Sequence, residues 1–424
     1  MDKKLLKRGR LMYILEASLE YLISILVSGA YLATLTKSIG IDDALTGIIS
    51  SFISLGCLFQ LIAIFVFKGR VKGAVISLSV INQILFLLLY VVPLPTLILP
   101  NVKIGLFIAI ILLAYFTYNI AHPAKINWMM SLVDDSIRGR FTAKKEVVSL
   151  IVGTCFSFGM GAIIDAFKAK GDLKTAFIIS GIVIFVLMVL HTISMALAPE
   201  KEPPRGEKKS LKGVFSVLKD KNVIKVTVVF SLWNIATYSA VPFYGTYQTS
   251  ELGFDMKFIA IGLGLTYTIA RTIFSFVWGA YADKHSFSSM IKICFAIAGA
   301  SFLINAFCTP FNGHIVYTIH YVLYAISMAG INSALINLCY DYVGEEKRRD
   351  ALAVSQAISG LVGFGTTSLV SLLVSYIQKN DNSLFGMGVY AQQVCSFIAL
   401  IFTILCILYV SIFMNKKSVQ VVKK

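Results

Sequence analysis

Six polar side chains stand inside stretches that are otherwise apolar enough to cross a bilayer: Glu16, Glu20, Lys125, Asn234, Arg271 and Asn332. A charge near the bilayer centre costs at least about 2.5–3.5 kcal/mol on insertion scales, so such a residue needs a partner, a wet cavity or a task. The chemistry open to this set is ion pairing and proton exchange. A desolvated glutamate can change charge within an accessible pH range, while a neighbouring lysine or arginine holds it ionised. At a rise of about 1.5 Å per residue, Glu20 lies about 13 Å in from its helix end. Lys125 and Arg271 lie about 12 Å in, and Asn234 and Asn332 about 12–13 Å, so these five predict a polar ring slightly inside the midplane. Glu16, about 8 Å deep and one turn from Glu20, is within reach of Arg8 or Arg10 in the basic tail.

No other grouping carries chemistry. There is no G-x-S-x-G, no HExxH and no P-loop, and Gly360, Gly363 and Gly365 sit in an apolar helix, where close helix packing explains them. The five histidines, His122, His191, His285, His314 and His320, are scattered without i,i+4 pairing, so no metal site is expected. The seven cysteines all lie in apolar segments with no CxxC spacing and read as packing residues. An enzyme is therefore not expected, nor any cofactor beyond a proton or sodium ion as coupling ion.

The elements that must position these residues follow from composition. Of 424 residues, 57% are apolar and 14% charged, against about 45–50% and 25% in a soluble domain. Apolar runs bounded by charges, Pro or Gly predict twelve membrane helices, at 11–36, 44–67, 73–92, 104–131, 142–166, 175–198, 223–247, 257–280, 289–309, 314–341, 350–376 and 389–414. The net charge of +16 would suggest a nucleic-acid partner in a soluble protein. Here the basic residues sit in short loops, and Lys37, Lys103, Lys168, Lys170, Lys174, Lys257 and Lys379 are the seven on one side. The bias to the other side places both termini in the cytoplasm of a multi-pass cell-membrane protein, with the lipid bilayer and a small solute as its partners and no nucleic acid. Glu16 and Glu20 interrupt the first apolar run, and no small-residue cleavage site follows it, so a removed signal peptide is not expected.

The longest connection, 199–222, carries Pro203-Pro204 and divides a bundle of 1–198 from one of 223–424. Within it Leu211, Val214, Phe215 and Leu218 have helical spacing and could lie on the membrane surface or be a solvated linker. The halves repeat at an offset of 210. Ala124-Lys125-Ile126-Asn127 matches Ala334-Leu335-Ile336-Asn337, Arg138 matches Arg348, and Val152-Gly153 matches Val362-Gly363. Two parallel repeats around a central path are the arrangement expected of a transporter whose halves rock about its substrate.

Gly279-Ala280-Tyr281-Ala282-Asp283-Lys284-His285 resembles the second-half copy of the cytoplasmic signature of the major facilitator superfamily. Pro123-Ala124 and Trp128 followed by Arg138-Gly139-Arg140 are similar to the pattern between helices 4 and 5 of many bacterial members. In the first-half copy, Lys68-Gly69-Arg70-Val71-Lys72-Gly73, the Asp is missing. The resemblance implies an all-α membrane protein of twelve helices in two six-helix pseudo-repeats, with helices 1, 4, 7 and 10 lining the cavity. It implies a cytoplasmic gate of Gly279, Asp283 and Lys284 against Arg138 and Arg140 at the start of helix 5. On the other side Lys68, Arg70 and Lys72 would meet Glu345, Glu346 or Asp350. The function implied is monomeric secondary active transport of a small solute by alternating access; proton coupling is favoured because no nucleotide motif is present and a buried Glu can change charge, with sodium coupling and facilitated diffusion as the alternatives. Lys125, replaced by Leu335 in the repeat, joins Arg271 to suggest an anionic or zwitterionic substrate if Glu16 pairs with the tail. Multidrug efflux is the alternative within transport, and a non-transporting sensor or scaffold the alternative outside it.

Overall fold

Hydrocarbon offers peptide groups no water, so an apolar run of about 20 residues closes its hydrogen bonds within itself as a helix. The computed structural model describes residues 3–63, 67, 69–134, 138–201, 215–344 and 347–414. Among them, eleven helices are long and apolar enough to cross a membrane and a bent pair makes a twelfth. That pair is α1, Lys4–Leu26 and Gly29–Ser38, turned by 40° where Gly29 takes a φ of +53° that a side chain would resist. α2 spans Asp43–Leu61, α3 Lys72–Val91, α4 Pro100–Met130, α5 Arg138–Ala169 and α6 Leu173–Leu197. α7 spans Lys221–Glu251, α8 Met256–Ala282, α9 Phe287–Asn305, α10 Gly313–Tyr342, α11 Arg348–Lys379 and α12 Ala391–Phe413. The all-α, twelve-helix membrane fold expected from the sequence is the fold observed.

Helix starts are set locally by side-chain caps, each taking up a backbone N–H that has no intrahelical acceptor. Asp42 accepts from Leu45 N at 2.7 Å before α2, Asp172 from Thr175 N at 3.2 Å before α6, and Asp255 from Phe258 N at 2.6 Å before α8. Asp220 caps α7 through Asn222 N at 3.0 Å and also accepts from Lys347 Nζ at 3.1 Å. These donors, the backbone N–H first, hold its carboxyl below the ordinary carboxylate range. The stabilisation is therefore present above the ordinary carboxylate pKa and is lost as pH falls through the lowered one.

The exposed surface, unlike that of a soluble protein, is also apolar. On α6 the apolar stripe Ile178, Ile182, Phe185, Val189 and Ile193 is exposed, and the opposite stripe of Phe177, Ser180, Ile184, Leu187, His191 and Ser194 is buried. Both recur every three or four residues, as one face of a helix must.

The chain divides into two compact units, Met1–Lys208 with Phe243–Ile261, and Lys209–Pro242 with Gly262–Lys424. In the first, α1 packs on α5 and α6, α3 on α4 and α6, and α2 on α4. In the second, α7 packs on α11 and α12, α9 on α10 and α12, and α8 on α10. Adding six to each helix number in the first set yields the second, so the sequence repeat is also a repeat of helix neighbours. Residues 202–214, which hold most of the expected linker and of the surface helix, lie outside the described residues; Ser216–Lys219 forms a short 3-10 turn.

The segment 243–261 belongs to the first unit through backbone-level contacts. Asp165 on α5 accepts from Met256 N at 3.1 Å and Lys257 N at 2.9 Å. Gly161 lies against the Met256 backbone, and Gly245 is seated on the Gly29 carbonyl and Ala30 nitrogen with no room for a Cβ. Overpacking at such a site costs about 1–3 kcal/mol. Gly245→Val should accordingly lower the melting temperature of the purified protein, whereas Gly105→Val, at a position with open space around it, should not. Equal melting curves for the two variants would show that the close approach does not contribute.

Candidate functional site

Glu16 and Glu20 stand four residues apart and so share one face of α1. That face is turned toward α4 and α6, and Glu16 is 1% exposed. Lys125 of α4 contacts both carboxylates: its Nζ is 2.8 Å from Glu16 Oε1, and it also meets Glu20 Oε2. His191 of α6 brings Nε2 to 3.4 Å from Glu16 Oε1 and 3.8 Å from Glu20 Oε2. Behind it, Gln83 of α3 places its amide nitrogen 2.9 Å from His191 Nδ1. Four helices of the first unit thus converge on one buried ionic cluster.

A small cavity of about 10 Å³, the room of one water molecule, adjoins the cluster. Its walls include Glu20, Lys125, His191, Gln83, His122 and Ser79. Glu20 is the most solvent-accessible member of the cluster, with its side chain 19% exposed. Glu16, Glu20 and His191 bring one potential ligand atom each within 4.8 Å of one another. The Lys125 ammonium already contacts both carboxylates, so it fills the position of a cation between them.

The sequence expectation for Glu16 needs correction. It pairs with Lys125 rather than with the basic tail, because the face it shares with Glu20 points into the bundle. Arg10 instead bonds Asp134 at 3.2 Å. The charge balance reverses with it: two carboxylates meet one ammonium, and with His191 neutral the contacting groups carry one surplus negative charge. The uncompensated positive charge from which an anionic substrate was inferred is not formed in this unit.

The other three ring candidates belong to the second unit. Asn234 donates to the Ser359 carbonyl at 2.8 Å and ties α7 to α11. Arg271 donates to Tyr267 Oη at 3.3 Å and lies 5.9 Å over its ring. Asn332 is exposed. Sequence reasoning missed His191, Gln83 and His122. The stripe of Phe177, Ser180, Ile184 and Leu187 could have found His191, since it places the imidazole on the buried face of α6.

At the ends of the helices, Gly279 and Lys284 are exposed, while the side chains of Arg138, Arg140 and Asp283, and residues Lys68, Glu345 and Glu346, lie outside the described residues. Lys72, expected to reach toward the second half, is held within the first unit. Its ammonium donates to the Ala196 and Ala198 carbonyls at 2.8 Å each, satisfying the C-terminus of α6. In return Glu200, just past α6, accepts from Val71 N at 2.6 Å and Lys72 N at 3.1 Å at the start of α3. Trp128 Nε1 donates to the Pro199 carbonyl at 2.9 Å alongside. Glu200 therefore supplies, from the end of α6, a carboxylate near the loop whose own Asp is missing. Loss of a capping side chain costs about 0.5–2 kcal/mol. Glu200→Ala should lower the unfolding free energy of purified protein in detergent by that amount, and an unchanged denaturation midpoint would rule the cap out as a stabilising contact.

Removing one partner of a buried ion pair costs about 3–5 kcal/mol because the other charge is left buried. Lys125→Met should be destabilised on that scale at neutral pH, and Lys125→Met/Glu16→Gln should recover part of the loss. A double variant as unstable as the single one would show that the loss does not come from unpaired charge.

This fold recurs among solved transporters. A mutant form of the nucleoside transporter NupG superposes with a TM-score of 0.70 at 13% identity, over 95% of this chain and 98% of that one. A bacterial homologue of the human lysosomal transporter Spinster gives 0.67 at 15% identity, over 97% of each chain. A mutant form of the Escherichia coli fucose:proton symporter FucP gives 0.58 at 14% identity, over 95% of this chain and 98% of that one. No curated protein matches by sequence. The sequence model of the Major Facilitator Superfamily matches residues 15–367, most of the chain, so this multi-pass membrane protein belongs to that superfamily.

Proposed function

We propose that the chain is a proton-coupled secondary active transporter that moves a small solute across the cytoplasmic membrane by alternating access, with both termini inside. One observation carries the coupling: Lys125 holds Glu16 and Glu20 together inside the first unit, and the three groups sum to one negative charge. A net charge of that kind is unfavourable in a low-dielectric interior, and the smallest species that removes it is a proton. Glu20, the more exposed carboxylate, is the entry point. Protonated, it releases its share of Lys125, and the remaining Glu16–Lys125 pair is neutral. The same cluster is thus charged when empty and neutral when loaded, as a carrier of protons requires. FucP, a fucose:proton symporter by its description, supports the reading at the level of a shared fold.

The test uses purified protein in liposomes with imposed pH or sodium gradients, screened over nucleosides, sugars, amino acids and lipophilic cations. Uptake of one class should follow the pH gradient. For that solute, Glu20→Gln should abolish accumulation above the external concentration while leaving exchange at equal concentrations intact. Undiminished accumulation by Glu20→Gln would assign coupling elsewhere, and dependence on sodium alone would overturn proton coupling. Orientation is checked separately. A single cysteine at Asn312 should react with an impermeant reagent added to intact cells, and one at Lys219 only after permeabilisation.

A further inference from the structure

We propose that His191 is the buried proton-binding member of this cluster and that the Gln83 side-chain amide reports and stabilises its protonation state. The inference rests on the proton-coupled reading and adds to it a site on α6, a helix outside the four assigned to the cavity.

The argument starts from hydrogen-bond inventory. Gln83 donates its amide N–H to His191 Nδ1 at 2.9 Å, so Nδ1 is an acceptor and the single proton of the neutral ring sits on Nε2. Nε2–H then faces Glu16 Oε1 at 3.4 Å and Glu20 Oε2 at 3.8 Å. In this arrangement Gln83 Oε1 is buried with no hydrogen-bond partner among the described residues, and a buried acceptor is seldom left unmatched. Rotating the amide by 180° brings Oε1 to Nδ1, where it can accept only if Nδ1 carries a proton. Since Nε2 must keep its own proton to face two carboxylates, the rotated amide belongs to the imidazolium. The orphaned oxygen, once rotated, is thus the hydrogen-bond acceptor for an Nδ1–H that one additional proton would create.

Charge points the same way. The groups that meet His191 or line the cavity it shares are Glu16 and Glu20 from α1, Lys125, His122 and Tyr118 from α4, and the uncharged Gln83, Asn82 and Ser79 from α3. On α5, Lys145 holds its ammonium 4.8 Å over the ring of Tyr13, a residue one turn from Glu16. Two carboxylates against one ammonium leave the contacting set one positive charge short, and an imidazolium at 191 closes it. A proton arriving at Glu20 has His191 Nε2 beside it. A water in the adjoining cavity, which Glu20, Gln83 and His191 line, relays it: the Glu20 O–H breaks, an Nδ1–H forms, the water passes on as many protons as it receives and Nε2 keeps its own. One proton enters, one charge is neutralised and no bond other than N–H or O–H changes.

The experiment is 15N NMR of the imidazoles in full-length, 15N-histidine-labelled protein in lipid nanodiscs. His191 is assigned by difference with His191→Gln or, should that variant not fold, by single substitution of the other four histidines. At pH 8.5 Nδ1 should be bare and Nε2 protonated, and on acidification to pH 5.5 both should carry protons. Glu16→Gln should weaken proton binding at His191 about tenfold or more, and Lys125→Met should strengthen it about tenfold or more, opposite effects that a purely structural histidine would not show. Gln83→Leu should abolish the tautomer preference. A His191 that stays neutral throughout this range, or that responds to neither charge substitution, overturns the proposal. If pH-driven uptake persists with a silent His191, coupling through Glu20 stands without it. A titrating His191 with uptake indifferent to pH removes the coupling reading and the carrier role together.

Discussion

The first unit is organised around charges that cannot leave. Glu16, Glu20 and Lys125 lie in apolar stretches of their helices, and the side chains of Glu16 and Lys125 are almost wholly buried, so neither of these two reaches bulk water without unpacking the helix that carries it. Their mutual attraction is strong because the surroundings screen little. It offsets the desolvation cost only when donors and acceptors are matched closely. That requirement fixes the rotation of α1 and α4 about their own axes and draws in His191 from α6, with Gln83 of α3 behind it. The helices bearing the cluster are also those that pack on one another in this unit, so packing and charge specify one arrangement.

Away from the cluster, helix ends carry much of the specificity. Apolar faces in lipid discriminate poorly between neighbours, since lipid tails are as apolar as leucine. Unsatisfied N–H and C=O groups at helix termini discriminate well, because each needs a partner in a defined direction. Lys72 and Glu200 exchange such partners between α3 and α6, and Asp165 does the same between α5 and the segment that begins α8. The loop at Gly69 lacks the acidic residue of its counterpart at Gly279, and a carboxylate distant in sequence occupies the neighbouring helix start. A missing residue in a motif thus need not mean a missing contact when another element ends close by.

The two units share one pattern of helix neighbours yet differ in chemistry. Lys125 and its repeat counterpart Leu335 are both buried. The first is part of an ionic cluster, whereas the second contributes only packing. In the second unit the corresponding level holds an amide bonded to a backbone carbonyl, at Asn234, and an arginine stacked on its own helix's tyrosine, at Arg271. Among the described residues, Lys125 belongs to an ionic cluster in the first unit, and the matching position in the second holds an apolar side chain.

What the sequence determined by itself was the class of fold. Twelve helices, most of their limits within a few residues, the internal repeat and the superfamily all follow from hydropathy, short motifs and loop charge. These signals are local, and the bilayer leaves an apolar segment few alternatives. Glu16, Glu20 and Lys125 were legible as candidates for the same reason: an ionisable residue in an apolar run is anomalous wherever the helix lands. What only the tertiary structure decided was who meets whom. Depth along a helix can be counted from sequence, but rotation about the axis and the choice of neighbour cannot. Glu16 therefore looked able to reach the basic tail when it faces Lys125, and the partners of Asn234 and Arg271 could not be read from their depth. Gln83 was passed over because a lone glutamine carries no signal of its own, and His191 because its stripe tells that it is buried but not what it meets. Their roles exist only once four helices bring a carboxylate pair, an ammonium, an imidazole and an amide within hydrogen-bonding range.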